Sequence, residues 1–277
     1  MGRIPQSDIL SLLSKFQGDV GLYVENLDDG EVFEINPAKV FPSASIIKIP
    51  LMGLLLLDAK EGKIDLHTPH VIKEDNRVGG TGILCELNRD YSPSLYYLCK
   101  LMIILSDNTA TNEIIDVVGG FDRFNEFCKS LGYGNTSLNR KMMDYEGIKQ
   151  GRNNYMTAGE TGRMLSEIAR GQFIDTQISE TIIDMMNSQQ YRNKLPALLP
   201  VVPIYALDED KKNPPPGTVL VGNKTGEVFG TQHDVGVFML PGGRRYIISM
   251  FTGNLEHDAD GIAAISHVSK IVYEALR

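Results

Sequence analysis

Cysteine is scarce in this chain: Cys85, Cys99 and Cys128 are the three found among 277 residues. An odd number at wide separations suits neither a disulfide framework nor a zinc site, so free and mostly packed thiols are expected. The five histidines form no H-x-x-x-H pair and sit near no cysteine cluster. A metal site built by the protein is therefore not expected, and no cofactor is implied. A membrane-length apolar run is missing too. The longest, "IPLMGLLLL" after Lys48, has about half of the ~20 residues a spanning helix needs and reads as a buried core helix. Nor is there an excess of positive charge. The net charge is −8 at pH 7, with lysines and arginines scattered, which opposes non-specific encounter with nucleic acid or anionic membranes. The opening "MGRIPQSDIL" has no apolar h-region and no small-residue cleavage site. The expected compartment is the cytoplasm, or the secreted or periplasmic space if a leader has been removed.

What the chain does contain is apolar material, 42% of its residues, enough for one large domain or two small ones. Ile9, Leu12, Leu13 and Phe16 have helical spacing and predict a helix over 6–16. "VGLYVENLDDGEVFEIN" predicts two strands joined at Asp29-Gly30, a strong hairpin signal. The pattern then turns helical, with helices predicted over 45–60, 94–105, 109–118, 121–131 and 158–170, and loops at "EDNRVGGTG" and "NRKMMDYEGIKQGRNN". After the proline-rich "KKNPPPG" the strands return in "TVLVGNKTG", "HDVGVFML" and "RRYIISMFTG", the last two joined across Pro241-Gly242-Gly243. "DGIAAISHVSKIVYEAL" predicts a closing amphipathic helix. The expected fold class is mixed α/β (α+β): an antiparallel sheet built from both ends of the chain and flanked by the terminal helices, with an all-helical domain inserted. The expected boundaries are 1–42 with 206–277 for the sheet domain and 43–205 for the helical domain.

Three short motifs fall in this frame. Ser45-x-x-Lys48 opens the apolar helix, Ser106-Asp107-Asn108 lies between two helices, and Lys224-Thr225-Gly226 ends a strand. Each has a plain structural reading. About one S-x-x-K arises by chance in a chain of this length, "SDN" is what a helix N-cap looks like, and "NKTG" makes a turn. In combination they mean more, since "SDN" and "KTG" are each expected only roughly 0.05 times per chain. The chemistry is coherent as well. A serine hydroxyl is a weak nucleophile until a neighbouring base takes its proton, and positions three apart on a helix share a face, so Lys48 can reach Ser45. A lysine flanked by Ile46, Ile47 and Ile49 is poorly solvated, which disfavours its charged form.

The ordered trio resembles the signature of class A β-lactamases and penicillin-binding proteins. "LMIILSDNTATNEIID" and "NKTGEVFGTQHDVGVFMLPGG" resemble the matching stretches of class A β-lactamases, as does a helical insert between two ends of a sheet. The likeness runs from about residue 18 to the C-terminus. It implies a β-lactamase-like fold with an active site between the two domains, and a serine hydrolase acylated at Ser45 by a small-molecule β-lactam or acyl-peptide. It implies Lys48 as base, its ammonium pKa lowered further by a nearby Lys224 and the helix dipole. Ser106 would relay a proton to the leaving nitrogen, and Asn108 would hold the substrate amide. Lys224 and Thr225 would bind a carboxylate, Gly226 would permit close approach, and the backbone N–H groups of Ser45 and Glu227 would form the oxyanion hole. A monomer is expected, with no nucleic-acid partner.

The pattern also breaks. Class A enzymes place a deacylating glutamate two residues after a loop arginine; here the position two after Arg140 is Met142. Asp144 and Glu146 are the nearby acids able to substitute, so turnover is expected to be slow. Asn153 or a neighbour stands where the family has an aspartate that pairs with the loop arginine, so a looser loop is expected. Met52 stands where many members carry the disulfide partner of the Cys99 position. Glu227 replaces a small residue and puts negative charge at the edge of a carboxylate-binding site. These departures keep open a penicillin-binding sensor or receptor, and a D-Ala-D-Ala carboxypeptidase or esterase. A P-loop reading of "GTVLVGNKT" fails because Asn223 intervenes between Gly222 and Lys224. "GGTG" at 79–82 is expected to be a flexible loop.

Overall fold

The structure, a computed structural model, describes residues 3–277. Along the chain run α1 (Gln6–Leu13), β1 (Asp19–Asn26), β2 (Val32–Ile35), β3 (Val40–Pro42) and a 3-10 turn over Ala44–Ile47 that leads into α2 (Lys48–Lys60). There follow α3 (Leu95–Ile104), α4 (Asn108–Val117), α5 (Gly120–Ser130), α6 (Tyr145–Lys149), β4 (Tyr155–Thr157), α7 (Ala158–Ala169), α8 (Thr176–Asn187) and α9 (Asp208–Lys212). The chain ends with β5 (Leu220–Val228), β6 (Thr231–Met239), β7 (Arg245–Gly253) and α10 (Asp258–Leu276). The fold is mixed α/β with an antiparallel sheet, as the sequence predicts.

Two compact units divide these elements. One comprises the chain up to Ile46 and again from Thr157 to Arg277; the other is Ile47–Met156. The first holds a five-stranded sheet of order β2-β1-β7-β6-β5, its neighbours antiparallel. β1 lies beside β7, so the two ends of the chain meet within the sheet. The Asp29-Gly30 hairpin forms as expected. Gly30 takes φ 76 and its N–H donates to Asn26 O at 2.9 Å, while Asp29 Oδ1 accepts from Glu31 N at 3.0 Å. One face of the sheet packs Leu22, Val24, Phe238, Ile248 and Met250 with Ile9 of α1 and Ile265, Val268 and Val272 of α10. On the other side α7 packs on β1 and β7, and α8 on β5. Gly162 makes that approach possible, because a Cβ there would lie 2.3 Å from Tyr23 Cγ. Helices on both sides explain why β6 is buried at nearly every position and shows no simple alternation.

These contacts move the domain boundary. The expected helical domain, 43–205, takes in the segment that forms α7 and α8, but both helices use their apolar faces against the sheet and belong with it. A period-3.6 pattern reveals an apolar face and not what covers it.

In the second unit α2 is the core element, packed by α3, α4 and α5. Its residues from Lys48 to Leu56 are all buried, as an apolar stripe without a polar face requires. Arg123 of α5 pairs with Asp58 of α2, donating to its Oδ2 at 2.7 Å. Cys99 and Cys128 are buried and Cys85 is half-buried; burial pushes the Cys99 thiol up to about 12. Among the described residues, no helix is long and apolar enough to cross a membrane.

Candidate active site

The residues of the first unit begin with the serine. Ala44 takes a left-handed φ of 44, opening the 3-10 turn on which Ser45 stands half-buried. Gly226 of β5 lies directly against this turn: a Cβ on it would be 3.2 Å from Ala44 Cβ and 3.0 Å from Ile46 Cγ1. His233, paired with Gly226 across the ladder, bonds through Nε2 to Pro42 O at 2.8 Å, three residues before Ser45. Its Nδ1 lies 2.8 Å from Gln232 O and 3.2 Å from Thr252 N. Burial holds the His233 pKa down at about 4. The serine turn and the Lys-Thr-Gly strand are thus brought together.

Beneath that strand lies a cluster of buried charge. Lys224 is fully buried, its Nζ donating to Thr225 O at 2.9 Å, and burial lowers its pKa to about 7. Asp234, also fully buried, has its carboxyl pushed up to about 6 by desolvation. It accepts from Asn223 Nδ2 at 3.0 Å and from Leu195 N at 2.9 Å. Lys194 extends a buried ammonium to Gly226 O and His233 O, each at 3.3 Å, and to Glu227 Oε2 at 3.5 Å. Burial lowers its pKa.

In the second unit Lys48 is fully buried. Its Nζ donates to Ser106 O at 2.7 Å, Ser106 Oγ at 3.0 Å and Asn108 Oδ1 at 3.0 Å. An amine in hydrogen-bond contact with a hydroxyl is an acid–base couple able to pass a proton in either direction. Ser106 holds this place in a left-handed conformation, φ 53. Asp107 caps α4: Oδ1 accepts from Ala110 N at 2.9 Å, and Oδ2 accepts from Ile83 N at 2.7 Å and Leu84 N at 2.9 Å.

The "GGTG" segment is consequently not a free loop, contrary to the expectation. Asn108 Nδ2 donates to Gly79 O at 3.0 Å, Asn108 N to Thr81 O at 3.1 Å, and Thr81 Oγ1 to Ser106 O at 2.7 Å. Gly82, at φ 98, has no room for a Cβ, which would fall 2.2 Å from Asp107 Oδ2. A Gly-rich run reads as flexible only until its backbone partners are known.

The loop after Arg140 is clasped at both ends. Arg140 donates through Nε and Nη2 to Asn153 Oδ1, at 3.1 and 2.9 Å, so the asparagine supplies hydrogen bonds without the charge of an aspartate. Asn154 adds bonds to the backbone N and O of Arg140, both at 3.1 Å. Met142 is buried, and Asn112 of α4 holds its backbone on both sides, accepting from Met142 N at 2.8 Å and donating to Met142 O at 3.3 Å. Met143 follows at φ 63, its sulfur so near Gly80 that a Cβ there would lie 2.7 Å from it. Asp144 is the N-cap of α6, accepting from Gly147 N at 2.8 Å. Glu146 is exposed and paired with Lys149 at 2.6 Å. Neither acid is brought to Lys48, Ser106 or Asn108 by any of these bonds.

Several residues of this machinery were not singled out from the sequence. Lys194, His233 and Asp234 belong to no motif. Thr81 and Asn112 act through contacts whose partners lie about 25–30 positions away. Asp107 was visible, but only as a cap. Among the described residues, no group of three or more His, Cys, Asp or Glu could hold a metal ion.

Known proteins are similar to this chain along nearly its whole length. The extended-spectrum β-lactamase PER-1 of Pseudomonas aeruginosa is 25% identical over 280 residues, 97% of this chain and 86% of that protein. A solved β-lactamase from Sphaerobacter thermophilus superposes with a TM-score of 0.84 at 26% identity, covering 97% of this chain and 95% of its own. PBP-A superposes equally well, at TM-score 0.84 and 28% identity over 98% of this chain and 94% of its own. A leucine-to-glutamate mutant of PBP-A, solved as an acyl-enzyme complex with penicillin G, gives the same score. The family described as "Beta-lactamase enzyme family" (Beta-lactamase2) matches residues 5–276. The chain belongs to that family, as a β-lactamase-like serine hydrolase.

Proposed function

We propose that β-lactams and related acyl donors acylate Ser45 and that the acyl-enzyme then breaks down slowly. Lys48 takes the proton of Ser45 and passes it by way of Ser106 to the leaving nitrogen. Asn108 holds the acyl amide, Lys224 and Thr225 bind the donor's carboxylate, and the N–H groups of Ser45 and Glu227 receive the oxyanion. An oxyanion donor of this kind is commonly worth roughly 3–4 kcal/mol. The observation that carries the slow step is Met142. It stands where the loop would offer a base, its backbone fixed by Asn112, while Asp144 and Glu146 are engaged as a cap and in a surface pair. Without a positioned base, ester hydrolysis loses about 10²–10⁴-fold. The PBP-A mutant trapped with penicillin G supports acylation by a penicillin in a chain of this kind. It also favours, as a second reading, a penicillin-binding receptor that stays acylated.

Labelling with a fluorescent penicillin tests the assignment. Ser45→Ala should abolish the label, and Lys48→Ala should slow its appearance about a hundredfold, the usual size of a general-base effect. Undiminished labelling of Ser45→Ala would sink the nucleophile assignment.

A further inference from the structure

We propose that Glu227 is an internal carboxylate that competes with the carboxylate of the acyl donor for Lys194, biasing the enzyme toward donors without negative charge beside the scissile bond. The inference rests on the acylation reading and deepens it to a substrate preference. Thr225 and Glu227 are two apart on β5 and so face the same side of the strand. Between them lies Gly226, paired across the ladder with His233, and Lys194 Nζ bonds both of those carbonyls at 3.3 Å. The ammonium therefore stands at the ladder step that separates Thr225 from Glu227.

The two partners differ in their freedom. The Lys194 side chain is 1% exposed and that of Glu227 is 54% exposed, at a separation of 3.5 Å. This is longer than the 2.7–2.9 Å of a strong charge-assisted bond. In its surroundings Lys194 and Lys224 face Asp234 and Glu227, and Lys194 also feels Asp258, two cations against three carboxylates. Asp234 cannot leave, being fully buried and bonded by Asn223 and Leu195 N. A buried ammonium is disfavoured when a counter-charge is withdrawn, and Asp234 acts on Lys224 as well, so Lys194 retains Glu227 until another anion arrives. Glu227 can then turn into water while a donor carboxylate takes its place. Every charged donor must displace it; an uncharged one need not.

Benzylpenicillin and its methyl ester distinguish the two situations. Second-order acylation rate constants for wild type and Glu227→Gln give, for each protein, a ratio of acid to ester. The ratio should rise about three- to five-fold in Glu227→Gln, the size expected for a half-exposed charge pair. An unchanged or lowered ratio would overturn the role given to Glu227 while leaving acylation of Ser45 intact. If neither compound acylates wild type, both readings fall together. Should Glu227→Gln fail to fold by thermal unfolding, Glu227→Asp, whose shorter side chain draws back from Lys194, must raise the ratio in the same direction or the inference is overturned.

Discussion

Lys224, Asp234 and His233 are all fully buried, and burial weighs the two protonation states of each. His233 is held down to about 4 and Asp234 is pushed up to about 6. With an unfolded pKa near 6.5, His233 binds fewer protons when folded, so its contribution to stability is present above pH ~6.5 and is lost as pH falls toward 4. Asp234 binds more protons when folded, so its contribution is present below pH ~3.9 and is lost as pH rises toward 6. The two slopes oppose each other, and wild type should show a shallow stability profile between about pH 4 and 6.5. Asp234→Asn removes one of them. Urea unfolding of that variant should then show stability rising by about 2–3 kcal/mol from pH 4 to 6.5; a profile as flat as that of wild type would mean that His233 is not held neutral by burial.

In the proposed function, the loop from Arg140 to Asn153 is the element that sets the fate of the acyl group. Asn112 fixes the backbone of residue 142 independently of its side chain, so Met142→Glu should place a carboxylate there without reshaping the loop. Chasing a fluorescent penicillin adduct should show its lifetime shortened about 10²-fold or more in Met142→Glu and unchanged in Asp144→Asn and Glu146→Gln. A long-lived adduct in Met142→Glu would mean that this position does not face the ester. The helices α1 to α5, α7 and α10 and the five strands of the sheet were legible because their apolar period or hairpin signal is local, whereas α6, α8 and α9 were not read from the sequence. The Ser-Asp-Asn motif was legible because rare short strings stand out. Lys194 was not, since a lone lysine in "YRNKLP" acquires meaning only when β5 and β6 bring two carbonyls to it. The membership of α7 was hidden for a related reason, since which surface a helix covers is decided by long-range packing.

Along the chain, Ser45, Lys224 and Thr225 fall in one unit and Lys48, Ser106 and Asn108 in the other, and the boundary crosses the three-residue step from Ser45 to Lys48. Ser45 and Lys48 are joined through a single helical stretch, the 3-10 turn and α2. In the proposed function, acylation draws on that stretch and the Lys-Thr-Gly strand, whereas deacylation needs a base from the loop, where Met142 stands. The account therefore separates two rates that a fast β-lactamase keeps together. Intact-mass spectrometry of the wild-type protein, followed over time after mixing with benzylpenicillin, measures both at once. A single added penicillin mass that forms rapidly, maps to Ser45 and persists long after free penicillin is removed is the predicted result. Complete hydrolysis of the penicillin at about 10²–10³ per second, the upper range of ordinary turnover, with no adduct accumulating, would contradict it.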